Sequence, residues 1–559
     1  MIRISCKNER FTYDMYHIVK SFLPDAEISQ KVDPEQELLI EMTAEEEPDL
    51  EEQACDKKVR WTFFHCREAE IADISEKREQ KRYINKKLYQ TLVKKTGEEH
   101  AWGNMTGVRP TKMIMERLEE GSSEEEIIRY MHDTYVVSEK KAMLGIEIAK
   151  REKAQLDKLD YENGYSLYIG IPFCPTTCSY CSFTSYPVAK WQDRMDEYVD
   201  ALLKELAFIA EVSKEKHLNA IYMGGGTPTT LSAQQMDRVL SFLEEHFSFE
   251  HLKEYTIEAG RPDSITEDKL RVIRKHGVGR ISINPQTMQQ KTLDVIGRRH
   301  TVEDVVRIFH LARELGFDNI NMDLIAGLPG EHPEEMEDTL RQIKELAPDS
   351  LTVHALAMKH GSRLTRERAA STEKQNYKQM ARELEEMIDM ARKAAGEMGL
   401  YPYYLYRQKN IAGNFENVGY AKVDKAGIYN ILIMEEKQPI IALGAGGSSK
   451  LVFDHGQRIE RVENVKDVSN YISRIDEMIE TYGEQEVNES LALLRVERFI
   501  VDNANVTEVA GDDADAVDEG YDLEEYDESM DIDTGDDTED NVDTEDAAAE
   551  DATDEVAEE

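Results

Sequence analysis

Six apolar runs alternate with amphipathic segments between about residues 165 and 360, and this alternation constrains the fold more than any other feature. The runs are SLYIGI, NAIYMGG, EYTIEAG, RISINPQ, NINMDLIAG and SLTVHALAM. Segments with apolar residues at helical spacing, such as MDEYVDALLKELAFIAEV, separate them. Strands joined by crossover helices pair in parallel, with the helices outside. The sequence therefore predicts an α/β fold, a partial (β/α)6 barrel with an open side.

In such a fold the residues that follow the strands lie together on one rim, at the carboxyl ends. Polar, small or thiol side chains occur there in five of the six repeats. They are the cysteines after the first strand, GGGTP after the second, Glu258 in the third, Gln286 after the fourth and Asp323 in the fifth. We therefore expect the functional site at this rim.

Three cysteines lie within eight residues directly after the first strand. Cys174, Cys178 and Cys181 have the spacing Cys-x3-Cys-x2-Cys, and no fourth cysteine is near. A structural zinc site needs four protein ligands, and His217 and His251 belong to other predicted elements. Three thiolates on a [4Fe–4S] cluster leave one iron open to a substrate or cofactor. The spacing favours a cluster, with zinc or unmetallated thiols as the alternatives.

The segment CPTTCSYC after a first barrel strand resembles the radical S-adenosylmethionine superfamily, whose signature has an aromatic residue before the last cysteine. Tyr180 fills that position. The resemblance implies that the three cysteines bind a [4Fe–4S] cluster and that its open iron holds the amino and carboxylate groups of S-adenosylmethionine. An electron from the reduced cluster would then break the sulfonium C–S bond and give a 5′-deoxyadenosyl radical.

Further motifs resemble one family within this superfamily. The segments YIGIPFC, YMGGGTPT, TIEAGRPD, ISINPQT, IGRRHT and NMDLIAGLPGE occur in this order. They are similar to the oxygen-independent coproporphyrinogen III oxidase (dehydrogenase) family over about residues 165 to 450. The N-terminal segment WGNMTGVRPTK resembles the HemZ subgroup. The resemblance implies oxidative decarboxylation of two propionates of coproporphyrinogen III to vinyl groups, which gives protoporphyrinogen IX in haem biosynthesis.

The same resemblance implies the cofactor-binding residues. Six residues match positions that contact the first S-adenosylmethionine or the aromatic position beside the cluster. They are Tyr168, Tyr180, Gly225, Gly226, Thr227 and Glu258. Four further residues match positions that contact a second molecule of the cofactor. They are Gln286, Arg298, Asp323 and Ala357. Glycines without a Cβ allow close backbone approach to a ligand. A carboxylate such as Glu258 in an apolar strand is costly unless it is paired, so a buried ion pair is the alternative there.

Two departures from the family pattern leave the substrate open. Gly170 stands where the family often has histidine, and Ser182 stands where well-known members have another cysteine. A haem-binding chaperone of the same family and a radical enzyme acting on another carboxylate are therefore alternatives. Arg407 and Lys409 beside the aromatic run are candidates for binding substrate carboxylates, with a packed aromatic strip of Tyr403, Tyr404 and Tyr406 as the other interpretation.

Composition along the chain predicts four regions. Residues 1–155 form an N-terminal α+β module of unknown role, residues 156–370 the partial barrel, and residues 371–505 a region that closes the active site. Residues 506–559 form a disordered acidic tail. From residue 511 onward, 25 of the tail residues are Asp or Glu and none is Lys or Arg. The region IYNILIM is predicted to be a strand.

The remaining expectations concern partners and location. The net charge of −45 and the lack of a basic face argue against nucleic acid. No run of about 18 apolar residues and no secretory signal occur, so we expect a cytoplasmic monomer without a membrane span. Cys6, Cys55 and Cys66 are expected to be reduced structural residues. The family resemblance implies a porphyrinogen substrate and an electron donor such as flavodoxin or ferredoxin.

Overall fold

The computed structural model describes residues 1–24, 26–46, 59–182, 185–357, 362–370, 376–407, 415–453, 456 and 458–484. Cys55, Lys409 and the predicted tail 506–559 lie outside these ranges. No helix within the ranges combines the length and apolar character that a membrane span requires.

The strands and helices are numbered in the order in which they occur along the chain. The strands are β1 Ile2–Cys6, β2 Ile28–Val32, β3 Ile40–Glu46, β4 Val59–Cys66, β5 Gly164–Ile171, β6 Phe173–Cys174, β7 Tyr186–Pro187, β8 His217–Gly225, β9 Glu254–Gly260, β10 Arg280–Ile283, β11 Ile320–Ala326, β12 Ser350–Ala355, β13 Tyr401–Arg407, β14 Glu416–Ala421, β15 Ile440–Leu443, β16 Ser448–Phe453 and β17 Arg458–Glu463. The α-helices are α1 Thr12–Phe22, α2 Lys77–Thr96, α3 Pro110–Glu119, α4 Glu124–Tyr135, α5 Glu139–Leu156, α6 Met195–Val212, α7 Ala233–His246, α8 Glu267–Lys275, α9 Gln290–Val295, α10 Val302–Glu314, α11 Pro333–Leu346, α12 Arg363–Ala370, α13 Tyr377–Glu397, α14 Ile428–Glu435, α15 Val468–Ser473 and α16 Ile475–Glu484.

The N-terminal strands form a separate four-stranded sheet in the order β2-β1-β3-β4. Alternate residues of β1 are buried, and together with residues of α1 and α2 they form a core of their own. Cys6 and Cys66 are free thiols inside this core, where burial raises the pKa of Cys6 to about 12 and that of Cys66 to about 11. Both thiols therefore stay protonated and unreactive at neutral pH.

Helices α3 to α5 begin where their sequences predict. Pro110 is the first residue of α3. The Ser123 hydroxyl accepts from the Glu126 N–H, and the Glu126 carboxylate accepts from the Ser123 N–H at 2.8 Å, which completes the predicted capping box of α4. These helices pack on the core of the large sheet and not on that of the N-terminal sheet. The domain boundary at residue 155 stays a prediction.

An eleven-stranded sheet contains the six predicted barrel strands, in the order β13-β14-β12-β11-β10-β9-β8-β5-β15-β16-β17. Each neighbouring pair from β5 to β12 within this sheet is parallel. The predicted α/β arrangement of six strands with connecting helices is confirmed. The sheet is longer than predicted, because β15 pairs in parallel with β5 and β14 pairs antiparallel with β12. The sheet is open between β13 and β17 within the described residues.

The predicted strand at IYNILIM is wrong, because these residues form helix α14. A short apolar run cannot be assigned to strand or helix by periodicity alone. The first turn of a helix has backbone N–H groups that need acceptors. Here the carboxylate of Glu254, on β9, accepts from the N–H of Tyr429 at 3.0 Å. That acceptor is supplied by the tertiary fold and cannot be read from the run itself.

Two carboxyl groups meet without a cation between them where α14 approaches α5. Glu152 is 0% exposed, Glu435 is 4% exposed, and the two side chains interact directly. Three of their four oxygens have no hydrogen-bond partner within the described residues. Burial raises the pKa of Glu435 to about 7, against the opposing charges of Arg109, Lys437 and Lys112. At least one carboxyl of the pair is therefore protonated at neutral pH.

We expect Glu435→Gln to remove a pH dependence of stability. The folded protein keeps a proton that the unfolded chain loses above its ordinary pKa of 4.5, so stability falls as pH rises from there to about 7. The slope is about 1.4 kcal/mol per pH unit at most. Urea unfolding between pH 4.5 and 8 measures it, with Glu211→Gln, on the exposed face of α6, as the control. A slope that is unchanged in Glu435→Gln would contradict the assignment.

Candidate active site

The three cysteines lie on the loop that follows β5, at the carboxyl end of the parallel strands. Cys174 ends β6, and the N–H of Cys181 donates to the carbonyl of Cys178 at 3.2 Å. Two further hydrogen bonds fix the loop to the segment after α9: the Ser179 N–H donates to the Ile296 carbonyl and the Thr176 hydroxyl to that of Gly297, both at 3.0 Å. None of the three thiols is in a disulfide.

Hydrogen-bond donors and positive charges lie beside these thiols. The Thr227 hydroxyl donates to Cys174 Sγ at 3.6 Å, and Nη1 of Arg261 is 3.9 Å from Cys178 Sγ. Burial raises the pKa of Cys174, and the Thr227 hydrogen bond opposes this shift. Nearby cations and donors favour the thiolate form that binds iron.

The cysteine loop and the polar groups beside it fit a [4Fe–4S] cluster bound by the three thiolates. No three His, Cys, Asp or Glu side chains of the described residues converge on the position of one metal ion. In a cluster each thiolate binds a different iron, so the three sulfurs need not converge on a single ion. Three cysteine thiols on one loop, flanked by a guanidinium and a hydroxyl, match that requirement.

The glycines after β8 are packed against the start of the cysteine loop. A Cβ on Gly226 would lie 2.6 Å from the carbonyl oxygen of Phe173, and Gly225 has a φ of +104°. The N–H of Gly226 donates to the Ile171 carbonyl at 2.8 Å. The turn therefore engages this amide within its own chain, and the role of Gly226 in cofactor binding stays a prediction.

Replacing Gly226 with alanine is expected to displace the cysteine loop. The added methyl group meets backbone that cannot move alone, so we expect a stability loss of about 1–3 kcal/mol. We also expect S-adenosylmethionine binding to weaken about tenfold or more. Equilibrium dialysis of the reconstituted protein measures the binding. Gly396→Ala is the control, because a Cβ there meets nothing within 4 Å.

Tyrosines and one carboxyl group fill the barrel beneath this loop. Tyr222 stacks on Tyr429 with ring centroids 4.5 Å apart, and Tyr168 stacks on both at 6.3 Å. The Tyr222 hydroxyl donates to Glu258. Burial and the charge of Asp323 raise the pKa of Glu258 to about 7, against the effect of the Tyr222 hydrogen bond. Glu258 forms no ion pair with a described residue, so it is a hydrogen-bonded acid that can change protonation state near neutral pH.

The four residues matched to a second cofactor lie along one side of this rim. Gln286 has a φ of +70°, donates its N–H to the Asp323 carbonyl at 2.9 Å, and has a buried Oε1 without a partner. Asp323 accepts from Asn321 at 2.7 Å. Ala357 is half-buried just after β12. A strained backbone and an unpartnered amide oxygen are common at binding sites.

The adjacent arginines Arg298 and Arg299 differ in burial. Arg298 is 7% exposed, and its guanidinium donates to the Tyr180 hydroxyl at 3.2 Å and to the Asn284 carbonyl at 2.6 Å. Arg299 is exposed. Arg298 therefore joins the cysteine loop to the loop after β10, which brings the two predicted groups of cofactor residues together.

The described part of the aromatic run forms a packed strip. Tyr403 and Tyr404 are buried, with ring centroids 4.9 Å apart. Arg407 is 3% exposed and donates to the carbonyls of Met105 and Gly107 at 3.0 and 3.1 Å. The structure therefore favours the packed strip over a carboxylate-binding role, because Arg407 is buried and its Nη1 is bound to backbone acceptors. Lys409 lies outside the described residues.

Three residues of this site were not singled out from the sequence. Arg261 and Tyr222 lie inside the motifs TIEAGRPD and YMGGGTPT. An arginine at the end of one strand and a tyrosine within another could therefore have indicated them as site residues. Tyr429 was missed because its segment was interpreted as a strand. Only the position of α14 brings its ring against Tyr222.

Comparison with known proteins finds relatives that match much of the chain. Residues 168–343 match the family model described as the Radical SAM superfamily. The chain is 43% identical over 386 residues to the oxygen-independent coproporphyrinogen-III oxidase-like protein HemZ of Bacillus subtilis. The aligned region covers 68% of this chain and 76% of that protein.

Two shorter matches have different names. The chain is 35% identical over 192 residues to the heme chaperone HemW of Bacillus subtilis, covering 34% of this chain and 50% of that protein. It is also 35% identical over 192 residues to the oxygen-independent coproporphyrinogen III oxidase of Salmonella typhimurium, covering 34% and 42% of the two chains. These matches span half or less of both relatives.

Proposed function

Because this chain belongs to the radical SAM family of oxygen-independent coproporphyrinogen-III oxidase-like proteins, we propose that it oxidatively decarboxylates propionate side chains of coproporphyrinogen III. The family uses a [4Fe–4S] cluster and S-adenosylmethionine. When bound, they supply a primary carbon radical that takes a hydrogen atom from the β-carbon of a propionate. Loss of carbon dioxide and of one electron to an acceptor then leaves a vinyl group, and two such events give protoporphyrinogen IX.

The observation that carries this proposal is the loop of three cysteine thiols outside any disulfide, at the mouth of a tyrosine-lined partial barrel. Cys174, Cys178 and Cys181 would hold the cluster, with Arg261 offsetting thiolate charge. Glu258 would accept hydrogen bonds from the first cofactor, since its second oxygen is left free by Tyr222. The packed tyrosines exclude water from the radical and hold the reacting groups in place.

A second group of residues supports binding of another cofactor molecule or of the substrate. Gln286 offers an unpartnered carbonyl oxygen, and Asp323 offers a carboxylate beside it. We propose a porphyrinogen as substrate and a small electron-transfer protein, such as flavodoxin or ferredoxin, as reductant. The cytoplasm, where such donors occur, is the proposed location.

Anaerobic reconstitution with iron and sulfide, followed by two product assays, tests the proposal. We expect S-adenosylmethionine and a reductant to give 5′-deoxyadenosine, and coproporphyrinogen III to give carbon dioxide and protoporphyrinogen IX. Formation of 5′-deoxyadenosine without a decarboxylated porphyrinogen would keep the radical chemistry and reject the substrate.

Haem binding is the second candidate function, because the match to HemW is as similar and as long as the match to the oxidase. Gly170 also has no side chain to offer a substrate, and a Cβ there would lie 3.1 Å from the Leu443 carbonyl. Stoichiometric haem binding by the reconstituted protein, together with no release of carbon dioxide, would favour this function over decarboxylation.

A further inference from the structure

A second cavity lies at the opposite end of the parallel strands from the cysteine loop. It has a volume of about 490 Å³ and is lined at the amino-terminal ends of β9, β10 and β11. The loop between β14 and α14 and the end of α5 complete its wall. Its volume lies in the range of small-molecule sites, and neither the cluster nor S-adenosylmethionine needs it.

Arg280 is a buried cation in this wall, close enough to the carboxylates of Glu254 and Glu258 to interact with their charges but not in an ion pair with either. It is 3% exposed, and its Nη2 donates to the Ser350 hydroxyl at 3.2 Å. Its Nε has no hydrogen-bond partner, and no carboxylate of the described residues forms an ion pair with the guanidinium. The guanidinium therefore keeps a free donor and has no direct ion pair, so a ligand anion could bind it and complete the partial compensation of its charge.

Other donors around the cavity are also without acceptors. The ammonium groups of Lys158 and Lys253 are exposed and have no ion pair within the described part of the chain. Positive groups gathered in a cleft raise the local concentration of anions, even on a protein with a net charge of −45.

The acidic side chains of the cavity are already engaged. Asp318 pairs with Lys425 at 3.2 Å, and the carboxylate of Glu254 accepts from the Tyr429 N–H and the Thr256 hydroxyl. Asp424 interacts with Arg151. Arg280, Lys158 and Lys253 therefore line the cavity without an ion pair within the described residues, and their combined charge exceeds that of a single carboxylate.

We propose that this cavity binds the phosphate group of a small phosphorylated molecule, with Arg280 at its base and Lys158 and Lys253 at its entrance. A phosphate monoester carries a charge of about −1.5 to −2 at neutral pH, which suits these cations. The guanidinium fork matches phosphate oxygens, and ammonium groups bind them as point charges. The cavity exceeds the size of phosphate alone and leaves room for the rest of the molecule.

Titration calorimetry of the full-length protein with inorganic phosphate at constant ionic strength tests this site. We expect saturable binding at one site, and a Kd at least about tenfold higher in the double variant Lys158→Ala, Lys253→Ala. The matched control is Lys214→Ala, Lys344→Ala, which removes two exposed lysines from α11 and the turn after α6 and should leave the Kd unchanged. Acetate at the same ionic strength should bind far more weakly.

Arg280→Lys keeps the charge and loses the fork, so it should also weaken phosphate binding. Should that variant fail to fold, the lysine variants still decide the question. Absence of saturable heat, an equal Kd in the Lys158, Lys253 variant, or equal binding of acetate would overturn the proposal. Because the probe is neither cofactor nor porphyrinogen, binding should persist in Cys181→Ser, and failure here leaves the proposed decarboxylation untouched.

Discussion

Cys181→Ser is expected to lose the iron–sulfur cluster and with it all radical chemistry. Two thiolates and a serine hydroxyl on one loop cannot hold a [4Fe–4S] cube whose fourth iron is already without a protein ligand. We expect the reconstituted variant to contain less than about a tenth of the wild-type iron and to form no detectable 5′-deoxyadenosine. Iron and sulfide analysis and visible absorption measure the first effect, and product analysis measures the second.

The matched control for this variant is Cys66→Ala. Cys66 is fully buried, and burial raises the pKa of its thiol to about 11, so it is not available as a ligand. Its removal should cost about 1 kcal/mol of stability and leave the iron content unchanged. A Cys181→Ser protein with a full complement of iron, or with zinc in place of iron in the wild type, would refute the assignment of this loop.

Glu416→Ala is expected to destabilise the folded protein by about 3–5 kcal/mol, the largest effect on stability predicted here. Glu416 is 1% exposed and forms an ion pair with Lys141, which is 2% exposed. Its other oxygen accepts from Trp102 Nε1 at 2.7 Å. Burial acts to raise the pKa of Glu416, but the charge and hydrogen bond of Lys141 hold it below its usual value. Removing the carboxylate leaves the Lys141 ammonium buried and unpaired.

Urea unfolding at pH 7 measures this loss, and a double variant separates the ion pair from the packing. Lys141→Met with Glu416→Gln removes both charges, keeps the volume and leaves an amide oxygen to accept from Trp102, so we expect it to recover most of the stability. Glu477→Ala removes an exposed carboxylate paired with Arg474 and should change stability by less than about 1 kcal/mol. A loss in Glu416→Ala no larger than in this control would contradict the prediction.

This ion pair also joins parts of the chain that the sequence does not connect. Trp102 and Lys141 belong to the N-terminal region, and Glu416 is the first residue of β14. Arg407 makes a second connection by donating to carbonyls of the WGNMTGVRP segment. No spacing rule relates residues 275 or more positions apart. The partner of a buried charge therefore becomes known only from the tertiary structure.

Several features could be predicted because they depend on residues close together in sequence. The six parallel strands follow from alternating apolar and amphipathic runs, and the capping box at Ser123 follows from two residues three apart. The cysteine loop follows from a spacing of eight residues. The roles of Tyr168, Glu258, Gln286, Asp323 and Ala357 were implied by family resemblance, and their roles in binding stay predictions.

The sequence by itself determined the six parallel barrel strands with their connecting helices, the cysteine loop and the rim on which the candidate site is expected, since parallel strands with crossover helices have few possible arrangements. Only the tertiary structure decided that α14 is a helix, that Arg298 and not Arg299 is buried, and that Arg407 and Gly226 serve their own chain. These outcomes depend on hydrogen bonds and charges across long separations, because a buried polar group takes whichever partner the folded chain brings within reach.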